Sequence, residues 1–287
     1  MSYLEKVNLC NRWRPSRFAP LTVANTQVGW LTHERVEVLQ SYSEVFAPAG
    51  GGIAFSYQLA TAKARTAALK KIMPALAASG HFPEPRGELY AVKNRWSEKE
   101  FFRIDRGLVP AFGVRAYGVH VNGVVKKRDG LHLWIGTRAT DRMIEPGKLD
   151  NMVAGGQPAG LSLMENVIKE SAEEASIGAR LAGTATPTSV ITYACERDGG
   201  FRADTLFCYD LELPAAVKPK TSEEIIAYSL MPVEEALRIV RTTNRFKFNV
   251  ALVIIDFAVR RGLITPDTEK DFETIVSGLH MYPQPVV

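Results

Sequence analysis

The chain has 287 residues, with 35 Lys and Arg against 31 Asp and Glu, a net charge of +4 and 46% hydrophobic content. This is globular composition, long enough for one large domain or two smaller ones. The slight positive balance suits small anionic ligands and is too weak to argue for a nucleic-acid partner. The three cysteines (Cys10, Cys195, Cys208) are far apart and form no zinc or CxxC spacing, which points to a reduced, cytoplasmic compartment. The N-terminus lacks the apolar core of a secretory signal, and no run reaches the roughly 18 apolar residues of a membrane helix.

In chain order, residues 1–18 begin as a helix and stop at Arg14-Pro15. Phe18–Leu31 alternates as short strands, and Ala47–Gly52 is a loop. The Ala-, Leu- and Lys-rich stretch 58–79 predicts a helix that Pro74 kinks or divides. Strands follow at Tyr90–Val92 and Phe102–Ile104, and a boundary falls near residue 106. Beyond it, Ala111–Val121 and Leu131–Arg138 are β-rich, with Asp129-Gly130 as a hairpin signal. Thr188–Glu196 and Asp204–Leu213 are strand-like, separated by Asp198-Gly199-Gly200, and Ile225–Leu230 is a further strand. Pro232–Arg241 is an amphipathic helix, Phe248–Gly262 an apolar core helix, and 267–279 a final polar helix.

The stretch that carries chemistry is 155–177, GGQPAGLSLMENVIKESAEEASI. A Gly-rich turn enters a helix in which Glu170, Glu173 and Glu174 stand three and four positions apart, and so share a face. Clustered carboxylates repel unless a cation sits among them, and oxygen-only ligands suit a hard divalent ion, Mg²⁺ or Mn²⁺. Gly155-Gly156 reads as a turn beside a phosphate. The helix start after Gly160 offers free N–H groups to the same anion. Arg138, at the end of a strand, and Lys148 are placed to grip a diphosphate.

This segment resembles the Nudix box, G-x5-E-x7-R-E-U-x-E-E-x-G-U with U aliphatic. Gly155 matches the first Gly, Glu170, Glu173 and Glu174 the R-E-U-x-E-E carboxylates, and Ile177 the last aliphatic. Leu161 stands in place of the first Glu, Lys169 of Arg, Ser171 of an aliphatic and Ser176 of Gly. The whole chain resembles the subfamily of thiamine-pyrophosphokinase-related Nudix proteins, through Val28-Gly29-Trp30, Trp134–Arg138, Pro146–Asn151, Ala154–Gly160, Lys169–Ala175 and Phe246–Gly262. The Leu161 and Lys169 departures are habitual in that subfamily.

The resemblance implies an α/β Nudix fold, an α/β/α sandwich with a mixed sheet over residues 107–287, preceded by a smaller α+β accessory domain over 1–106. It implies hydrolysis of a diphosphate bond with Mg²⁺ or Mn²⁺, and a substrate like thiamine diphosphate or its oxidised analogues (oxothiamine, oxythiamine). Glu170, Glu173 and Glu174 become catalytic residues and metal ligands, joined by the Gly155 carbonyl and by Glu224 on the later strand. Lys169 becomes a looser brace than Arg, because it lacks the planar fork. Arg138, Lys148, Gly156 and Lys169 would contact substrate. The accessory domain would serve specificity or a homodimer, with no nucleic-acid or membrane partner.

Plainer readings stand beside these. Glu165 lies on another helix face and reads as solvent-exposed; His120 and His132 read as structural; Trp30, Trp96 and Phe201 read as core. Other diphosphate substrates (ADP-ribose, a dinucleotide) and a non-catalytic ligand-binding module remain open alternatives.

Overall fold

The computed structural model describes residues 1–197 and 199–281, so the expected turn residue Asp198 lies outside the described residues. The first helix, α1 (Tyr3–Cys10), starts at a capping box in which Ser2 and Glu5 satisfy each other's backbone N–H groups. It ends earlier than expected because Asn11 turns its amide onto the carbonyls of Val7 and Gly278. Strands β1 (Phe18–Val23) and β2 (Thr26–Thr32) form an antiparallel pair, and helix α2 (His33–Gln40) follows.

The expected loop at Ala47–Gly52 is instead the hairpin of β3 (Phe46–Ala49) and β4 (Gly52–Phe55). Gly50 and Gly51 turn it with φ of +52° and +77°, which glycine adopts without strain. The four strands form one sheet in the order β2-β1-β4-β3. Helix α3 (Ala62–Ala78) runs unbroken through Pro74. Pro74 and Lys70 are exposed, so the carbonyl that the ring leaves unbonded faces solvent. The pair β5 (Leu89–Val92) and β6 (Phe102–Asp105), then the short α4 (Val109–Phe112), lead out of this region.

The remainder is built on a seven-stranded mixed sheet. It comprises β7 (Arg115–Lys127), β8 (Gly130–Arg138), β9 (Leu149–Asp150), β10 (Val153–Gly156), β11 (Thr186–Arg197), β12 (Gly200–Glu212) and β13 (Ile225–Pro232). The main order is β11-β12-β7-β8-β13, with β10 on β7 and β9 on β8. Only the β12–β7 pairing within it is parallel.

Alternation divides the apolar residues between the two faces of this sheet. Val119, Val121 and Val153 pack with α5 (Leu163–Ala175) and α6 (Ala179–Ala182) on one face. Ile135, Tyr193 and Cys208 pack on the other with α7 (Val233–Thr242) and α8 (Phe248–Arg260), joined by α1 and α9 (Phe272–Gly278). This is the α/β/α sandwich expected. Helix α9 is shorter than predicted because Thr265 and Thr268 hold the preceding residues in a hydroxyl-bonded turn. An aromatic cluster of Trp13, Phe18, Trp30 and Phe201 joins the two sheets, with Trp13 centred 5.1 Å from Trp30 and 4.8 Å from Phe201. Trp30 and Phe201 are therefore core residues, as read.

Candidate active site

Helix α5 starts with a second capping box: Ser162 receives the N–H of Glu165, and the Glu165 carboxylate bonds the Ser162 N–H at 2.8 Å. That occupies two of the N–H groups at the helix start expected for phosphate, those of Ser162 and Glu165. Leu161 and Ser162 line a separate, smaller cavity instead, beside Trp96. The helix ends at Ser176, with φ of +55°. This left-handed C-cap explains why the Nudix pattern has glycine there.

The three helix carboxylates do not share one environment. Glu174 is 5% exposed, Glu170 is mostly buried, and the Glu173 side chain is 58% exposed. Burial pushes Glu174 well above the ordinary carboxylate range, and Asp150, Glu170 and Glu224 add to the rise. Its one hydrogen-bonded relief is the Ala154 N–H at 2.9 Å. Burial also raises Glu170, as do Glu173 and Glu224, against the pull of Lys169. Lys169 spans the pair, reaching Glu173 at 2.7 Å and Glu170 at 3.0 Å.

The two glycines of the entry turn are required by close approach. A Cβ on Gly155 would overlap the Glu170 carboxyl group, and one on Gly156 would overlap the Tyr90 hydroxyl. The Gly156 carbonyl accepts from the Asn166 amide at 2.9 Å.

These acids line a cavity of about 540 Å³, which also takes residues from the N-terminal region, including Arg86, Tyr90 and Arg106. Glu224 lines it, paired with Arg142 at 2.8 Å. Arg138 lines it too, but its guanidinium is bound to Asp150 at 2.6 Å and to the Ile144 carbonyl. Burial works against the Asp150 charge, yet Lys247 and Arg138 hold this carboxyl below its ordinary range. Lys148 is outside the cavity wall, with its ammonium on the Asn244 carbonyl. Lys148 immediately precedes β9, and its side chain runs toward Asn244 rather than into the cavity.

Sequence reasoning missed a guanidinium cluster. Arg86, Arg106, Arg142 and Arg202 come from four separate segments and line the same cavity. Burial lowers the pKa of Arg86, and the positive charges of Arg106, Arg142 and Arg202 lower it further. Arg106 is held by Glu88 at 2.7 Å, Arg142 by Glu224, and Arg202 lies 3.5 Å from Asp204. No spacing signals this set, because only tertiary folding gathers it.

Among the described residues, no group of three His, Cys, Asp or Glu side chains stands ready-arranged around a metal position. The donor chemistry nevertheless suits a hard divalent cation. Glu170 and Glu174 are buried oxygen donors, each raised by its acidic neighbours, and Glu174 has no cationic partner among the described residues. A divalent ion would relieve that repulsion.

Residues 2–116 match a family model described as a domain of unknown function, DUF4743. The chain is 38% identical over 271 residues to Nudix hydrolase 24, chloroplastic, of Arabidopsis thaliana, covering 93% of this chain and 74% of that protein. It is 35% identical over 278 residues to Nudix hydrolase 20, chloroplastic, of the same plant, with the same coverage. Among solved structures, a Caenorhabditis elegans Ap4A hydrolase overlays with a TM-score of 0.39 at 14% identity, over 52% of this chain and 99% of that one.

Proposed function

This chain belongs to the Nudix hydrolases and cleaves diphosphate bonds, and from that premise we propose that its substrate is thiamine diphosphate or an oxidised analogue, released as the monophosphate. The observation that carries the reading is the pairing of two opposite clusters in one cavity. Four guanidinium groups face the space lined by Glu170, Glu173, Glu174 and Glu224. A diphosphate needs both: fixed cations for its oxygens, and acids for the divalent ion that accompanies it.

In this proposal Glu170, Glu173, Glu174, Glu224 and the Gly155 carbonyl hold the divalent ion, Mg²⁺ or Mn²⁺. When bound, that ion neutralises phosphate charge and lowers the pKa of a water. The chain's own residues do the rest. Arg86 would reach the diphosphate oxygens, and Arg106, Arg142 and Arg202 would add positive charge to the cavity from their places beside Glu88, Glu224 and Asp204. Lys169 sets the positions of Glu170 and Glu173. Tyr90, Tyr117 and Phe248 supply aromatic faces for a heterocycle. Arg138 acts by fixing Asp150 and the loop at Ile144, and Lys148 has no substrate role in this arrangement.

The cavity takes three residues from within 1–106 (Arg86, Tyr90 and Arg106), which supports an accessory unit over 1–106 that acts in substrate specificity. The three buried cysteines fit a reducing compartment such as the cytoplasm. Another diphosphate substrate such as ADP-ribose is the second reading, since the acid and guanidinium clusters recognise the diphosphate and not the group it carries.

Turnover of a diphosphate panel with Mg²⁺ or Mn²⁺ separates them. The panel includes thiamine diphosphate, oxothiamine diphosphate, oxythiamine diphosphate and ADP-ribose, assayed with wild type and Glu174→Gln. Preferred turnover of the thiamine compounds, lost in the variant, is expected. Turnover of ADP-ribose alone would sink the substrate assignment.

A further inference from the structure

The loop between β8 and β9 forms one rim of the cavity, and its two ends are pinned. The Ala139 N–H bonds the Glu224 carbonyl at 2.9 Å, and the Arg138 guanidinium holds the Ile144 carbonyl. Glu145 pairs with Arg197 and accepts the Phe248 N–H at 3.1 Å. Between the pins, Asp141, Arg142 and Met143 line the cavity. The backbone bonds inside the loop, from the Arg142 and Gly147 N–H groups to the Ala139 carbonyl, are long at 3.5 and 3.4 Å. Among the described residues, the side chains of this tip form one ion pair, Arg142 to Glu224 at 2.8 Å. Met143 adds a thioether contact to Arg86 at 3.1 Å.

That pair differs in two ways from the other arginine–acid pairs at the cavity. Its acid has a second claimant. Glu224 belongs to the acid set assigned to the divalent ion, and its charge helps to raise both Glu170 and Glu174. Glu88, Asp150 and Asp204, the partners of Arg106, Arg138 and Arg202, stand outside that set. The pair is also open to water. The side chains of Arg142 and Glu224 are 28% and 44% exposed, whereas those of Arg138 and Asp150 are buried.

An exposed ion pair is weak and parts at little cost. A divalent ion on the same carboxylate carries twice the charge of a guanidinium and repels it. Glu224 therefore cannot serve both partners at once. A guanidinium released from it becomes a free forked donor at the rim of a cavity already lined by Arg86, Arg106 and Arg202. A diphosphate oxygen is the acceptor that suits such a fork.

We propose that Arg142 exchanges partners: it holds Glu224 while no ion is bound, and moves to a phosphate oxygen of the diphosphate once Glu224 turns to the divalent ion. This goes beyond the fixed positive charge given to Arg142 above, and it rests on Glu224 being a metal ligand of a diphosphate site. Before the diphosphate arrives, Arg142 competes for Glu224 and weakens metal binding. Afterwards its guanidinium strengthens substrate binding. The ion alone leaves Arg142 unpaired, and the diphosphate alone leaves Glu224 unpaired, so each favours uptake of the other.

Mn²⁺ titrations of the full chain, followed by the electron paramagnetic resonance of the free ion, test the exchange without turnover. Arg142→Gln is expected to bind Mn²⁺ about fivefold more tightly than wild type, the scale of one exposed ion pair removed. Glu224→Gln should bind it more weakly, and adding Arg142→Gln to that variant should change nothing further. A gain that persists without Glu224 is a general effect of lost charge and overturns the exchange.

The substrate reads in the opposite direction. At saturating Mn²⁺, KM for whichever diphosphate of the panel is turned over should rise about tenfold in Arg142→Gln, the scale of one charged hydrogen bond. An unchanged KM overturns the proposal. If Glu224→Gln binds Mn²⁺ as wild type does, the assignment of Glu224 as a ligand fails and this inference falls with it. If Glu224→Gln binds more weakly and Arg142→Gln binds no more tightly than wild type, the reading of the site stands and the exchange alone fails.

Discussion

At the residue scale, the buried Glu174 carboxylate separates stability from function. It is buried among acids with only a backbone N–H for relief. Glu174→Gln keeps an oxygen for the Ala154 N–H and removes the charge. The metal-free variant is expected to be more stable than wild type by about 1–2 kcal/mol, the scale of an unpaired buried charge relieved. It should gain little Tm from added Mn²⁺, whereas wild type gains several degrees. Denaturant melts with and without the ion check both parts, and a destabilised metal-free variant would contradict the charge argument.

His120 gives a second measurable sign. Its folded pKa of about 4 lies below the roughly 6.5 of an unfolded histidine. Between those values the unfolded chain takes a proton that the native chain refuses, so His120 costs stability as pH falls from about 6.5 to about 4. Glu170 and Glu174, both raised, act oppositely: their native forms keep protons the unfolded chain has lost, so their share falls as pH rises above the ordinary carboxylate range. His120→Gln should therefore flatten the acid limb of a stability-against-pH curve and leave the limb above pH 7 unchanged.

At the element scale, α5 shows how much was legible. The spacing of Glu170, Glu173 and Glu174 gave the helix and its acidic character. It did not give the split between two buried acids and one exposed, because burial depends on where β10 and Tyr90 press against the turn. Ser162 and Glu165 form an S-x-x-E capping signal visible in the chain, and the helix start it marks lines the smaller cavity rather than the one that holds the acids. Ser162→Ala should lower stability by about 1 kcal/mol and leave kcat unchanged. Gly155→Ala is expected to do the reverse. Its Cβ must displace the Glu170 carboxyl, so kcat should fall by at least tenfold with a smaller change in Tm. The hairpin at Phe46–Phe55 was illegible for another reason: Pro48 and the three glycines advertise a loop, and pairing with β1 overrides them.

At the scale of the whole molecule, the cavity exists because the segment from Arg86 to Pro110 lies against the seven-stranded sheet and its helices. The strands and the family likeness announced the sandwich, since periodicity is local. The guanidinium cluster was silent, because Arg86, Arg106, Arg142 and Arg202 are scattered over more than a hundred positions. If the N-terminal region serves binding, Arg86→Ala should raise KM about tenfold with kcat nearly unchanged. Trp30, 6% exposed, sits where the sheets join, and Trp30→Ala should cost about 3–5 kcal/mol.

The packing of α1 has a consequence in time. Tyr3, Val7 and Cys10 share one apolar core with residues of α8 and with Ile275 and Leu279 near the far end of the chain. On a ribosome, the first helix is made before nearly everything it packs against. Its apolar stripe must wait through the synthesis of both sheets, and the loop it closes is almost the whole chain. Final closure of that core is thus a late, slow event. Pulse-labelled hydrogen exchange during refolding should show amides of α1 and α9 gaining protection together, after those of β7 and β12.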